Sequence, residues 1–496
     1  MTEQYNLHPL EGHYLHSILN PKSLCVFGAN NNLLNTMGSM QLRNIIAGGF
    51  KGPIYPIHPQ LDKVQGYKAY RSVLDLPETP DLAFIILPTR VVVEVMEECG
   101  QKGIKHLIIT SGGFREVGQD GKKLSIKLSE IAEKYNIRFI GPNCLGVFNG
   151  WYDPEKKDSH FNTMWMYIVP ERGPISLAAH SGTVASHLFW YAREIGAKIG
   201  KSFSIGNENN IDIVDILKYF KDDPQTKVIG LYIEEIKRGK DFIALAKEIT
   251  PKKPIVAIYA GGSEAAIRSI KSHTGAIAGD DRIFEGVFKE TGIISTFSAQ
   301  DFVHYLRAFS YGIIPNGNRI GIITDSGGSG SMMTKSAEIY GLKVPEFSEE
   351  LKSKIRKLIP PTASATNPID LTFDVNQYNL YVKLPKLLIN SGEIDGLVMY
   401  AAFGFEDIIK ILKKGGMKFD NFEFDDEFLK GMWLKPMQRI TKKKSVPFFY
   451  INPQGYSDSW SKVFVNSDIP IFYLWDYPVK CLSILAKYSE YKKKFT

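Results

Sequence analysis

"ISLAAHSGTVASHLF" (residues 175–189) and "IGIITDSGGSGSMMT" (residues 320–334) decide the fold of this chain. Each opens with a short apolar run, passes through a turn of tiny residues and enters a segment with apolar positions at helical spacing. A strand that runs through such a turn into a helix is the repeating step of a doubly wound parallel sheet. The turn also leaves backbone N–H groups uncovered at the positive end of a helix, where an anion is favoured. Gly and Ser are frequent in turns of any α/β protein, so one copy is a weak signal. Two copies in one chain carry more weight.

Outward from these stretches the same rhythm fills the chain. In the first third, "SLCVFGA", "GPIYPIH", "LAFIILP", "HLIITSG" and "IRFIGPN" read as buried strands, and "TRVVVEVMEECGQKG" and "GKKLSIKLSEIAEKYN" as amphipathic helices between them. The rhythm restarts at residue 175, continues through "KVIGLYIEEI" and "KPIVAIYAGG", and restarts again at residue 320. The expectation is an α/β chain of three consecutive doubly wound domains, Rossmann-like and then flavodoxin-like, over residues 1–155, 160–312 and 316–496, the last with a C-terminal helix. "GGMKFDNFEFDDEFLKGMW" (residues 415–433) reads as a surface insertion before the closing strands "VPFFYIN" and "IPIFYLW".

Composition is that of an ordinary globular protein: 496 residues, 44% hydrophobic, 23% charged, net charge +7. The Lys-rich patches are short and scattered, which argues against nucleic-acid binding, although a mild positive balance suits an anionic ligand. Four distant cysteines, Cys25, Cys99, Cys144 and Cys481, form neither a CxxC pair nor a disulfide framework. With a polar N-terminus and no apolar run of bilayer length, the chain reads as cytoplasmic, with no membrane partner. No cluster has metal-ligand spacing. "AHSGT" is not the Gly-x-Ser-x-Gly elbow of a hydrolase.

"IKSHTGAIAGDD" (residues 270–281) is the other chemically suggestive stretch. A neutral imidazole held by a carboxylate through one nitrogen offers the other as a nucleophile, so His273 reads either as a phosphoryl acceptor or as a polar loop residue. Its acid partner is expected at the end of "VIGLYIEEI". Glu234 and Glu235 there point to opposite faces, so one of them aims into the site. Asp280 and Asp281 are closer in sequence but fit the cap of the following helix. His180 could face the anion at the first turn or simply end a strand. Near the N-terminus, "CVFGANNNLLNTMGSM" is not GxGxxG, yet its turn can meet a diphosphate through backbone N–H groups.

Taken together, "VFGAN", "GGFKGPIYPIHP", "GPNCLGVFN", "SIGNENNIDIVDILKYFKDDPQTKVI", "LYIEEIKRGKDF", "KSHTGAIAGDD" and "TDSGGSG" with "ATNPIDLT" resemble, in this order, the NDP-forming acyl-CoA synthetases of the succinyl-CoA synthetase superfamily. The likeness is to the α subunit, or α half, of the ADP-forming acetyl-CoA synthetase type. It implies a first domain binding coenzyme A near Gly28, Asn30, Asn31, Pro59, Ser111 and Gly112. It implies a phosphohistidine at His273, oriented by Glu234. It implies phosphate held in turn at Ser181, Gly182 and Thr183 and at Gly327, Gly328, Ser329 and Gly330. The implied reaction interconverts acyl-CoA, ADP and phosphate with a carboxylic acid, ATP and CoA, through an acyl phosphate. The ADP/ATP site, with Mg2+, would lie on a separate ATP-grasp β subunit in an α2β2 assembly.

Several positions depart from the family pattern: Ala179 and His180 in place of Ser-Gln, His58 before Pro59, Tyr259 and Gly262 before the histidine loop, Asn210 and Lys335 in place of acids, and Glu235 in place of glycine. A non-catalytic CoA-binding regulator and a phosphate acyltransferase acting without nucleotide are the competing readings.

Overall fold

A computed structural model describes residues 9–33, 36–165, 168–268, 279–372, 378–400, 411, 413–416, 430–453 and 459–495. The chain divides into two compact units, Met1–Arg193 with Lys198–Phe302, and Glu194–Ala197 with Val303–Thr496.

The first unit holds two sheets. The first sheet consists of β1 (Leu24–Phe27), β2 (Ile54–Ile57), β3 (Leu82–Ile85), β4 (His106–Ile109) and β5 (Arg138–Ile140), in the order β2-β1-β3-β4-β5, all parallel. Apart from His106 and Arg138 at the starts of β4 and β5, its strands are apolar because both faces are covered, as a parallel sheet requires. Alternate residues feed different cores. Cys25 and Phe27 of β1 pack with Val92 and Met96 of α2 (Thr89–Lys102) and Leu128 of α3 (Gln119–Tyr135). Leu24 and Val26 pack with Leu42 and Ile45 of α1 (Met37–Ala47), in a cluster that runs on into the second sheet through Phe203 and Ile205. That shared core is why two sheets make one unit.

The second sheet is built from β6 (Gly146–Asn149), β7 (Phe161–Asn162), β8 (Ile175–Ala179), β9 (Ile199–Ser204), β10 (Val228–Ile233), β11 (Ile255–Tyr259) and β12 (Ile294–Ser295), in the order β12-β11-β10-β8-β9-β6-β7. Strands β8 to β12 are parallel, and β6 joins the edge antiparallel to β9. The chain therefore crosses from the first sheet to the second directly after β5. Helix α4 (Gly182–Glu194) follows β8, α5 (Ile213–Asp222) follows β9, α6 (Gly239–Ile249) follows β10, and α7 (Asp281–Thr291) precedes β12. As read from sequence, Asp280 caps α7, its carboxylate accepting from the Arg282 N–H at 2.9 Å.

In the second unit, β13 (Ile320–Thr324), β14 (Ile369–Asp370), β15 (Gly396–Tyr400), β16 (Phe448–Ile451) and β17 (Ile471–Phe472) form a parallel sheet ordered β14-β13-β15-β16-β17. Helix α8 (Gly327–Ile339) follows β13, and α9 (Asp476–Lys492) closes the chain with Val479, Leu482 and Leu485 buried. Three sheets of this kind make the doubly wound α/β class expected from the rhythm of the sequence. Most of residues 415–433, read as a surface insertion, lie outside the described residues. Its last residue, Trp433, does not fit that reading: it is buried edge-on to Tyr381 and Phe464, with ring centroids 4.9 and 5.0 Å away. An indole of that area is stabilised by an apolar pocket more than by a surface position.

Candidate active site

The expected CoA residues of the first sheet lie at the carboxyl ends of its strands, around the switch point between β1 and β3 where doubly wound sheets bind nucleotides. Gly28 follows β1 with φ +86°, and a Cβ there would sit 1.9 Å from the Ile86 carbonyl oxygen. Only glycine permits that turn and that approach. Asn30 braces the turn: its N–H donates to Ser39 Oγ at 2.9 Å and its Oδ1 accepts from Asn32 N–H at 2.8 Å. Asn31 is tied by Gln65 N–H donating to its Oδ1 at 2.7 Å. Ser111 Oγ donates to the Leu87 carbonyl at 2.6 Å, which fixes the end of β4 beside that of β3. Gly112 lies between Asn143 and Glu116, each 3.4 Å from where a Cβ would be, and Pro59 is exposed after β2. A cradle walled by backbone and floored by glycine fits a ligand whose phosphates meet N–H groups.

Beside this crevice the second sheet presents its own strand ends. Ser181, Gly182 and Thr183 form the turn from β8 into α4, and a Cβ on Gly182 would meet the Leu145 side chain at 2.5 Å. The preceding His180 is buried. Its Nδ1 is 3.1 Å from the Tyr232 carbonyl and 3.3 Å from the Glu234 N–H, and its Nε2 is 3.3 Å from Glu208 Oε2. The Nε2 contact lacks hydrogen-bond geometry and is an ion pair when the ring is protonated. Burial pulls this imidazole towards neutrality, but Glu208, then the Tyr232 carbonyl and Glu234, hold it above its ordinary value.

Glu234 and Glu235 separate as their adjacent positions require. Glu235 is ion-paired with Arg115, and Lys237 Nζ lies 3.9 Å away. Glu234 is 6% exposed, and its Oε2 has no hydrogen-bond partner among the described residues. A buried carboxylate oxygen left unpaired is costly and marks a place where another group is accommodated. His273 lies outside the described residues, so its distance to Glu234 is not part of this geometry.

A polar network that sequence reasoning missed joins the two sets of strand ends. Glu116 accepts from Gly113 N–H at 2.6 Å through one oxygen and from Asn207 Nδ2 at 2.6 Å through the other. Asn143 Nδ2 donates to Asn207 Oδ1 at 3.3 Å, and Lys237 Nζ donates to the Asn207 carbonyl at 2.9 Å. Glu208, in the left-handed region at φ +48°, accepts from Ile213 N–H at 2.7 Å near the start of α5. Arg115, Glu116, Asn143 and Asn207 thus tie the first sheet's loops to the second. The one signal was "IGNENN", a dense polar run directly after a buried strand.

The second anion turn belongs to the other unit. Ser326 N–H donates to Thr324 Oγ1 at 2.9 Å, and Gly327, Gly328, Ser329 and Gly330 open α8. A Cβ on Gly327 would lie 2.9 Å from Asp370 Oδ2, whereas Gly328 faces open space. A cavity of about 500 Å³ runs from this turn along Ser331, Thr334 and Lys335. Lys335 therefore adds a cation on the face of α8 that lines it.

Three other departures have local causes. His58 Nδ1 accepts from the Gln60 and Leu61 N–H groups at 3.1 and 3.0 Å, capping the turn after β2. Asn210 Oδ1 accepts from Phe139 N–H at 3.1 Å, binding its loop to β5. Tyr259 stacks on Phe284, centroids 3.6 Å apart, and donates to the Gly279 carbonyl at 2.9 Å. Gly262, at φ +96°, leaves room for the Asp281 carboxylate, 1.8 Å from where a Cβ would be. Among the described residues, no group of three or more His, Cys, Asp or Glu could hold a metal ion, and no helix is long and apolar enough to cross a membrane.

Comparison with known proteins places these features in a family. Models described as CoA binding domain, succinyl-CoA ligase like flavodoxin domain and ligase-CoA domain match residues 22–150, 172–309 and 320–401. The ADP-forming acetate–CoA ligase of Methanocaldococcus jannaschii is 39% identical over 71% of this chain and 48% of its own length. The alpha subunit of ADP-forming acetate–CoA ligase I of Pyrococcus furiosus is 39% identical over 72% of this chain and 76% of that subunit. This chain thus spans about half of the first relative and about three-quarters of the second. The solved structure of a dinucleotide-forming acetyl-coenzyme A synthetase 1 from Candidatus Korarchaeum cryptofilum, in complex with phosphate and ADP, is 29% identical and superimposes with a TM-score of 0.80 over 97% of each chain. With a CoA binding domain, a succinyl-CoA ligase like flavodoxin domain and a ligase-CoA domain matched in one order, the chain belongs to the NDP-forming acyl-CoA synthetases, on the side of the ADP-forming acetate–CoA ligases.

Proposed function

We propose that this chain is the α component of an NDP-forming acyl-CoA synthetase that interconverts acyl-CoA, ADP and phosphate with a carboxylic acid, ATP and CoA. A phosphate oxygen attacks the thioester carbonyl, the C–S bond breaks, and CoA leaves as the acyl phosphate forms. A ring nitrogen of His273 then attacks phosphorus, releasing the carboxylate. The phosphohistidine passes its phosphoryl group to ADP, giving ATP and a free imidazole. Glu234 is the acid that orients His273, and the starts of α4 and α8 stabilise the phosphoryl oxygens in turn.

One observation carries this reading: a buried carboxylate with an uncommitted oxygen, Glu234, at the same carboxyl end of the second sheet as the start of α4. Gly28, Asn30, Asn31, Pro59, Ser111 and Gly112 are the residues proposed to hold CoA. ADP/ATP and Mg2+ are assigned to an ATP-grasp β subunit, in an α2β2 complex, and the substrate is a small carboxylic acid.

The test is co-expression with a candidate ATP-grasp chain, followed by assay of ADP formation from ATP, CoA and a panel of acids. Turnover of one acid is expected, together with an acid-labile, base-stable phosphoryl label that His273→Ala abolishes. A label that survives His273→Ala, or none under turnover, overturns the assignment.

A further inference from the structure

The ring of His180 has two incompatible backbone partners on one nitrogen. The Tyr232 carbonyl, 3.1 Å from Nδ1, needs a proton there; the Glu234 N–H, 3.3 Å from the same atom, needs a lone pair. The Tyr232 oxygen already accepts from the His180 backbone N–H at 3.2 Å, so it is not orphaned when Nδ1 loses its proton. The Glu234 N–H has no other recorded partner among the described residues. On the far side, Nε2 lies 3.3 Å from Glu208 Oε2.

We propose that His180 is a positioning residue for Glu234, its protonation state deciding whether the Glu234 backbone is bonded to the imidazole or released. When the ring is neutral, Nε2 carries the proton towards Glu208 and Nδ1 accepts from Glu234. When it is charged, Nδ1–H turns to Tyr232 and the Glu234 amide is left free. The charged groups around the ring are Glu208 after β9 and Glu234 after β10, with Lys237 set against the Glu208 carbonyl. Both carboxylates favour the charged ring, and the Glu234 amide opposes it. Histidine held in such a balance toggles within the ordinary working range of pH. A glutamine in this place would have a donor and an acceptor but could not titrate.

The sign follows from the state of Nδ1 that each partner requires, and the neighbouring carboxylates set the midpoint above the ordinary histidine value. Below that point the ring is charged and Glu234 is loosened; as pH rises through it, the ring loses its proton and Glu234 is held. The role in turnover rests on the proposed function, but the coupling itself does not, so the two are tested separately. For the coupling, protein labelled with 13C at histidine Cε1 and 15N at glutamate is titrated from about pH 6 to about pH 9, the span of histidine switching. His180 and Glu234 resonances are assigned by their loss in His180→Gln and Glu234→Gln. A shared midpoint above the ordinary histidine value is expected, moving to lower pH in Glu208→Gln. A Glu234 amide that does not follow the ring overturns the coupling whether or not the protein turns over.

For the role in turnover, kcat should rise by about fivefold across the same span, the factor corresponding to one net hydrogen bond. That rise should be absent in His180→Gln and displaced to lower pH in Glu208→Gln. An unchanged profile in both variants overturns the positioning role. Absence of ligase turnover with every acid counts against the proposed function and leaves the titration to decide the coupling.

Discussion

At the scale of single residues, Glu234 and Gly28 are the positions where structure and proposed chemistry meet most directly. Glu234→Gln preserves shape but replaces one carboxylate oxygen with a donor, so an imidazole N–H can no longer be held as by a carboxylate. Labelling of the protein from acyl-CoA and phosphate should slow by about 10²-fold or more, the usual contribution of a positioned acid or base. Circular dichroism should be unchanged, and a labelling rate within twofold of the parent would remove Glu234 from the mechanism. Gly28→Ala places a methyl group against the Ile86 carbonyl at a positive φ. The backbone conformation alone costs about 1–3 kcal/mol, and the clash adds to it, so both the urea midpoint and CoA affinity should fall. How much of the site was legible also shows here. Adjacent acids after a strand must diverge, so the split between Glu234 and Glu235 could be read from their spacing. That Arg115 takes Glu235 could not, because 120 residues separate them and no local pattern connects them.

At the scale of elements, α5 shows how a helix start holds the site's floor. Asp212 caps it, accepting from the Val214 and Asp215 N–H groups at 3.0 Å each, and Arg238 braces both Asp212 and Asp215. Burial pushes the Asp212 carboxyl up, but the Arg238 guanidinium and the helix N–H groups outweigh it and hold the group below its ordinary value. A depressed carboxyl adds stability that is present above the unfolded value, about 3.9, and is lost as pH falls through the folded value. Asp212→Ala should therefore lower the urea stability of the first unit by about 0.5–2 kcal/mol at neutral pH, the range for losing a cap. The difference from the parent should shrink below about pH 4, where the unfolded-state carboxyl also binds its proton. A deficit independent of pH would mean that the cap acts through packing and not through charge. The doubly wound elements themselves were legible, since apolar runs alternating with helical periodicity admit few other folds. The buried Trp433 was not, because it follows the acidic run of residues 425–427 and its aromatic partners, Tyr381 and Phe464, are distant in the chain.

At the scale of the whole molecule, the division into two compact units makes a thermodynamic prediction about where ligands act. The CoA crevice, Glu234 and the α4 turn all lie in the unit of residues 1–193 and 198–302, while the α8 turn and its cavity lie in the other. A ligand stabilises only what binds it, by RT ln(1 + [L]/Kd), or about 2.7 kcal/mol at a concentration 100 times Kd. Separate cores of this size need not unfold as one cooperative step. Calorimetry of the isolated chain should therefore show two transitions, and CoA should raise one of them alone. Hydrogen exchange assigns it: protection gained with CoA should concentrate in β1, β3 and β4 and the loops after them, and also reach β9 and β10 through the Glu116–Asn207 links. Protection confined to the first sheet would show that these links do not couple the two sheets of the unit. Protection spread equally over β13 and β15 would show that CoA engages the second unit as well, and the single-crevice assignment would then have to be abandoned.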